Sequence, residues 1–393
     1  MKYTIHEITS VNELKKYADF PNRLYKDSPY YVPGLFSDDF NTFNWEKNPA
    51  YEYCDARFWF ALDEKGDIVG RICAIVNHKY IELWKHKYGR FGFIDFIEDY
   101  DVCKLLLDTA CHWLVDEKGM DGVVGPLGFC DLDPEGMLID GFDEISTLTT
   151  IYNYSYYPEY IERYGFVKDV DWYEYKMTVD ALPQIMFEIS ENVKRKYKLR
   201  VFEAKTIKQV ADKYGREIFK LVNQTYASLY NVVPLTERQI TAFINQYLGL
   251  IPKDFIRLIV DENDELISFG LGMPSLTEPL QKYRGKLLPF GFISFLKHLK
   301  TKHPKVIDLL LIATRDDYQR KGVNAMLFCE LYNYAKERNV ELFNINPQLE
   351  TNIKVRSGFK HFNITQNKTR RSYIKIFHEE QNTSDETKET DEA

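Results

Sequence analysis

The residues Gln319-Arg320-Lys321-Gly322-Val323-Asn324-Ala325 follow a buried strand, Val306–Thr314 (VIDLLLIAT), and a polar loop, and open a helix. Consecutive backbone N–H groups at a helix N-terminus, with a glycine that admits close approach, make an anion site. Arg320 and Lys321 add two cations in the same turn, and a pyrophosphate fits such a set. A second grouping is acidic. Cys130–Asp143 carries Asp131, Asp133, Glu135, Asp140 and Asp143, and Tyr152, Tyr154, Tyr156 and Tyr157 follow it. Carboxylates with aromatic faces suit a cationic amine, so this loop is expected to line a cleft between two halves of the chain. The plainer reading is a surface loop beside a tyrosine-rich core. The spacing of Asp131, Asp133 and Glu135 resembles a calcium loop, but the later glycine and glutamate are missing, and no metal is expected.

Other chemistry is sparse. The eight histidines have no ligand spacing, and there is no Gly-x-Ser-x-Gly elbow. Cys103, Cys111 and Cys329 fall on apolar helix faces, where cysteine is usually core. The six cysteines form no CxxC pair, which fits a reducing compartment rather than a disulfide framework. Lys194–Lys198 (KRKYK) is too small a basic patch to argue for nucleic acid.

The elements that must position these residues occur twice. Phe58–Asn77 is strand, acidic-Gly turn, strand; then come a strand at Gly92–Glu98 and a helix at Asp101–Lys118. A strand at Gly122–Pro126, a helix at Tyr157–Tyr164 and a strand at Trp172–Val179 follow. The order returns in Phe255–Met273, Val306–Thr314, a helix Val323–Arg338 stopped by Asn339, and a strand Glu341–Asn346. A helix at Glu350–Phe362 and a closing strand Arg370–Phe377 complete it. The sequence therefore predicts an α/β (α+β) protein of two similar domains, residues 1–180 and 181–377, and a disordered acidic tail, 378–393. One continuous sheet with a helical insertion is the alternative.

Charge sharpens this picture. The 393 residues carry a net charge of −8. Seven carboxylates stand against Lys388 in the tail, so six of those charges lie there and the body keeps two. A near-neutral body argues against a nucleic-acid partner. The first twenty residues mix charge and apolar side chains too finely for a signal peptide, and no apolar run approaches ~18 residues. A cytoplasmic protein without a membrane partner is expected.

The loop at 319–325 resembles the acyl-CoA-binding motif of the GNAT superfamily of N-acetyltransferases, Gln/Arg-x-x-Gly-x-Gly/Ala between a strand and a helix. Gln319 and Gly322 match it, and Asn324 stands where glycine or alanine is usual, beside Ala325. The whole chain before the tail is similar to bacterial tandem-GNAT proteins, through GPLGFCDLDPEGMLIDGF from Gly125, YNYSYY from Tyr152, LPFGF from Leu288 and the loop itself. The resemblance implies two GNAT-like domains, each a mixed, mostly antiparallel sheet with helices on both faces. It implies acetyl-CoA or another acyl-CoA as co-substrate, held by Gln319–Ala325. Ile312, Ala313 and Thr314 would position the pantetheine and thioester, and Asn352 would touch the cofactor.

The family often takes its general acid from a tyrosine after the fifth strand, but Glu350–Phe362 has none. Glu350, Glu341 and Tyr373 remain as candidates; the glutamates read equally well as solvated charges. Lys368, Arg370 and Arg371 could face phosphates, or form a basic strand edge. In the first half the corresponding turn reads Glu98-Asp99-Tyr100-Asp101. It has no glycine, and its carboxylates would repel a phosphate while steadying the helix. That half is expected to be degenerate. The implied function is transfer of an acyl group to the amine of a small molecule or peptide, by a monomer or homodimer. The alternative is a catalytically inactive GNAT-like ligand-binding or interaction protein.

Overall fold

The computed structural model describes residues 2–179, 182–352 and 362–378. The strands are β1 (Tyr3–Glu7), β2 (Cys54–Asp63), β3 (Ile68–Asn77), β4 (Tyr88–Phe96), β5 (Gly122–Gly125), β6 (Met137–Asp140) and β7 (Val167–Thr178). The second half adds β8 (Arg200–Val201), β9 (Ile256–Val260), β10 (Leu266–Pro274), β11 (Val306–Thr314), β12 (Leu342–Leu349) and β13 (Ile364–Ile376).

The repeat begins with matching hairpins. Between β2 and β3, the Asp63 carboxylate accepts from the amides of Lys65 and Asp67, and Gly66 takes φ +82°. Between β9 and β10, Asp261 accepts from Asn263 and Glu265, and Asp264 takes φ +66°. An aspartate that caps its own turn, followed by a residue tolerant of the left-handed region, fixes both connections.

All the strands join one sheet, in the order β1-β2-β3-β4-β5-β13-β7-β12-β11-β10-β9-β8, with β6 on β13. The order is symmetric about its centre: β1–β5 run in from one edge as β8–β12 run in from the other. Each half keeps the mixed, mostly antiparallel character, because only β4–β5 and β11–β12 are parallel. The centre is an exchange. β13, the last strand in sequence, lies between β5 and β7 of the first half, while β7 pairs with β12 of the second.

This arrangement overturns the reading of Lys368, Arg370 and Arg371 as a strand edge. They lie on a central strand. Lys368 and Arg370 are buried against Glu174 of β7, and Arg371 makes two bonds to Asp171. Burial raises the cost of the Glu174 charge, yet Arg370 and Lys368 together hold its carboxyl below the usual range. With their charges matched by β7, these cations serve the exchange and are not open to a phosphate.

Helices flank the sheet. The helix Val323–Arg338 packs on Gln184–Tyr197, and Asn339 closes it at φ +57°. Gln184–Tyr197 has no forerunner in the sequence reading; neither have Glu237–Phe243, Thr277–Tyr283 and Gly291–Leu299. The helix expected at Glu350–Phe362 lies mostly outside the described residues, as does the acidic tail after His378. All six cysteines are buried and unpaired. Among the described residues no helix is long and apolar enough to cross a membrane.

Candidate active site

Parallel pairing ends early in both halves. β11 and β12 stay in register only from Val306↔Leu342 to Leu309↔Ile345, and β4 and β5 only from Tyr88↔Gly122 to Arg90↔Val124. Beyond those residues the strands splay. The two gaps then differ.

In the first half the chain fills its own gap. Leu127 donates to the Phe91 carbonyl at 3.0 Å, and a Cβ on Gly92 would stand 2.2 Å from the Leu127 carbonyl oxygen. The following helix, Tyr100–Cys111, is capped by Asp99, whose carboxylate accepts the Asp101 amide at 2.9 Å and also meets Lys2 and Tyr3. A carboxylate already satisfies the helix N-terminus there.

In the second half the gap opens into a cavity of about 540 Å³. Leu310, Leu311 and Ile312 of β11 and Asn346–Leu349 of β12 form one side of it, and Asn352 reaches it as well. Phe219, Phe243, Leu271, Met273, Leu276 and Phe295 give it an apolar lining. At the end of β11, no side chain caps the helix Val323–Arg338. Arg320 and Gly322 take φ +59° and +81°, and the first amide to find a partner is that of Ala325, on the Gly322 carbonyl. The amides of Gly322, Val323 and Asn324 make no backbone hydrogen bond among the described residues.

Around this turn, the Gln319 side chain donates to Asp316 and to the Thr314 carbonyl. Lys321 lies over the rings of Tyr197 and Tyr318. Asn324 is tied back to the strand, accepting from the Thr314 hydroxyl at 2.7 Å. Val323 and Ala325 are buried in the helix packing. A Cβ on Gly322 would come 2.9 Å from Ile189 and 3.2 Å from Val193. The glycine thus answers two needs, the left-handed turn and contact with Gln184–Tyr197.

The opposite wall is acidic. Asp38, Asp39, Asp131, Asp133 and Glu135 all line the cavity. Loss of water pushes Asp39 up to about 7, and Asp131 and Asp133 each up to about 6. Glu135 rises well above its usual range through burial and then the Asp131 charge. Asp133 accepts from the Phe129 and Cys130 amides and braces its own loop. Asp131 has no such bond. Asp140 and Asp143 are exposed, and Tyr154, Tyr156 and Tyr157 lie in the core of the first half, where Tyr157 accepts from the Phe96 amide.

Between the two walls stands Tyr226, at the end of the helix Ile207–Tyr226. Its hydroxyl donates to the Ile312 carbonyl at 3.0 Å, and burial and then the Asp131 charge push it up to about 12. Asp38, Asp39 and Tyr226 escape sequence reasoning. The first two look like ordinary first-turn acids of the helix Phe36–Phe43, and Tyr226 sits 86 residues before the Ile312 it meets.

The remaining sequence candidates lie elsewhere. Tyr373 is buried in the first half with its hydroxyl on Glu162. Glu341 pairs with Lys305 at the far end of β12, and Glu350 is bound by Lys168 and by the Asp171 amide. None of the three reaches the cavity.

The fold is that of the tandem GNAT proteins. A tandem GNAT protein from the clavulanic acid biosynthesis pathway aligns with 95% of this chain and 98% of its own, at a TM-score of 0.52 and 10% identity. A GCN5-related glucosamine N-acetyltransferase region of a fungal multi-domain β-N-acetylglucosaminidase aligns equally well, at 0.52 and 12% identity; this chain spans 38% of that larger protein. Among curated proteins, the chain is 28% identical over 348 residues to Protein YghO of Escherichia coli K12, 87% of each. It is 23% identical over 372 residues to the bacterial ceramide synthase of Caulobacter vibrioides, 92% of this chain and 94% of that one. No protein-family profile matches it.

Proposed function

We propose that the chain is an N-acyltransferase that takes its acyl group from acyl-CoA bound at the second half and passes it to an amine held at the acidic wall. One contrast carries this reading. The second half has an uncapped helix N-terminus after the strand whose Leu310–Ile312 wall the cavity, though none of residues 313–325 lines it, whereas the first half caps the helix and fills the gap. Unpaired amides at Gly322–Asn324 with Arg320 and Lys321 would take the pyrophosphate, and the gap beside Leu310–Ile312 would take the pantetheine arm.

The co-substrate supplies the activated acyl group as a thioester. The chain must deliver a neutral amine, accept its proton and protonate the departing thiolate. Asp131 is suited to the amine: titrating near 6, it is a carboxylate at neutral pH and is free of structural bonds. Glu135, whose carboxyl burial and the Asp131 charge push towards its neutral form, stands near it in the same wall. Tyr226, in the cavity wall with its hydroxyl on the Ile312 carbonyl, takes the acid role that Glu350–Phe362 leaves vacant.

The apolar lining favours acyl chains longer than acetyl. The likeness to a protein named ceramide synthase points the same way, since a ceramide is the amide of a fatty acid and a long-chain amino alcohol. Calorimetry with acetyl-CoA and palmitoyl-CoA, followed by thiol release with long-chain amino alcohols, polyamines and short peptides, tests the proposal. Tighter binding of palmitoyl-CoA and amide formation with a long-chain amine are expected. Binding without thiol release from any amine would leave the chain a ligand-binding protein.

A further inference from the structure

The segment from Leu276 to Lys305 is unlike the rest of the chain. It holds seven lysines and arginines (Lys282, Arg284, Lys286, Lys297, Lys300, Lys302, Lys305) against Glu278 alone, in a protein of net charge −8. In its middle, large apolar side chains face outward: Leu288 is 82% exposed, Phe290 69%, Phe292 46% and Ile293 71%. Four such residues within six positions form a patch, not scattered surface carbon. Lys282, Lys297, Lys300 and Lys302 have no carboxylate partner among the described residues.

The same element is a wall of the cavity. On the helix Gly291–Leu299, Phe295 and Leu299 are buried with Met273, Leu276, Leu280, Val32 and Leu35, and Phe295 lines the cavity. Its outer face carries Phe292 and Ile293, and its last turn carries Lys297 and His298. Bonds from Gln281 to the Pro29 and Tyr31 carbonyls, and from Phe36 to Gly285, fix the segment against the first half. The apolar face is therefore held outward by a braced scaffold.

We propose that Leu288–Ile293, with Lys282, Lys297, Lys300 and Lys302 around it, docks on an anionic lipid surface. An apolar tip that enters the acyl boundary, ringed by cations that meet the headgroups, is the composition of an interfacial anchor. That no helix among the described residues is long and apolar enough to cross a membrane does not bear on such an anchor, which lies in the surface. Through Phe295 the anchor adjoins the cavity, so docking would bring the cavity to the lipid. Docking itself is independent of the acyl-transfer reading, and its test needs no turnover.

Flotation of the full chain with phosphatidylcholine vesicles, with and without phosphatidylglycerol, decides the matter. The chain should float with the anionic vesicles and lose most of that binding in high salt. Leu288→Ser/Phe290→Ser/Ile293→Ser should weaken flotation by about tenfold or more, with an unchanged melting temperature because these side chains are exposed. Lys297→Gln/Lys300→Gln/Lys302→Gln should abolish the preference for phosphatidylglycerol. No flotation by the full chain overturns the proposal, and so does flotation that both triple variants retain. Two further results would assign the patch to another occupant and overturn it equally. One is flotation only after truncation at His378, which would give the patch to the acidic tail. The other is a dimer in sedimentation that disappears in the Leu288/Phe290/Ile293 variant while vesicles are ignored.

Discussion

Asp39 shows how the cavity charges its own wall. Its carboxyl folds back so closely that a Cβ on Gly34 would stand 2.8 Å from it, and loss of water lifts it to about 7. An acid whose folded value lies above its unfolded value stabilises the fold fully below about pH 4, and that contribution is lost as pH rises through 7. Asp39→Asn should therefore melt at least ~2 °C higher than wild type at pH 8, with the gap closing towards pH 4; thermal denaturation across pH checks this. For Asp131 the readout is the rate. The wild-type kcat/KM for an amine acceptor should rise through about pH 6. Asp131→Asn should flatten that limb and lower kcat/KM by about 100-fold. If the limb persists in the variant, the proton acceptor is another group.

The turn between β11 and the helix Val323–Arg338 is where the sequence was most legible. Both elements have the boundaries that the sequence predicts, because the buried strand is a continuous apolar run and the helix is bracketed by Gly322 and Asn339, both in the left-handed region. Its partner Gln184–Tyr197 went unread, since only Met186, Ser190 and Val193 of its inward face are buried and the charged KRKYK end hides the pattern. For that reason Gly322 looked like a ligand glycine alone. Any side chain there meets Ile189 as well as an unfavourable φ, so Gly322→Val should lower the melting temperature whether or not CoA binds. Arg320→Ala/Lys321→Ala is the cleaner probe. Both residues are exposed, so stability should hold while acyl-CoA affinity falls about tenfold and loses much of its salt dependence in calorimetry. The acidic wall was half legible: Asp131, Asp133 and Glu135 were singled out, but Asp38 and Asp39 lie far from them in sequence and only tertiary packing joins them.

At the scale of the molecule, the position of β13 could not be read at all, because strand order is not written in the periodicity of a strand. Lys368, Arg370 and Arg371 looked like an edge until Glu174 and Asp171 of β7 were found beside them. The exchange makes the halves interdependent. Expressed apart, residues 1–180 would lack the strand between β5 and β7, and residues 181–393 would end β12 on an unpaired edge. Neither fragment should give a cooperative melt by circular dichroism, and co-expression should recover a single complex in gel filtration.

The exchange also sets a timetable on the ribosome. β5 and β7 are synthesised first, and the strand that separates them emerges roughly 200 residues after β7. At 5–20 residues per second the nascent first half waits about 10–40 s with both flanks of that slot open. During this time Glu174 has neither cation, and two strand edges offer themselves to any neighbouring chain. A trigger-factor-like holdase, or slow pairing with a second nascent chain, would find its opportunity in that interval. Yield should then respond to the speed of translation between β7 and β13 more than to anything done to the finished fold.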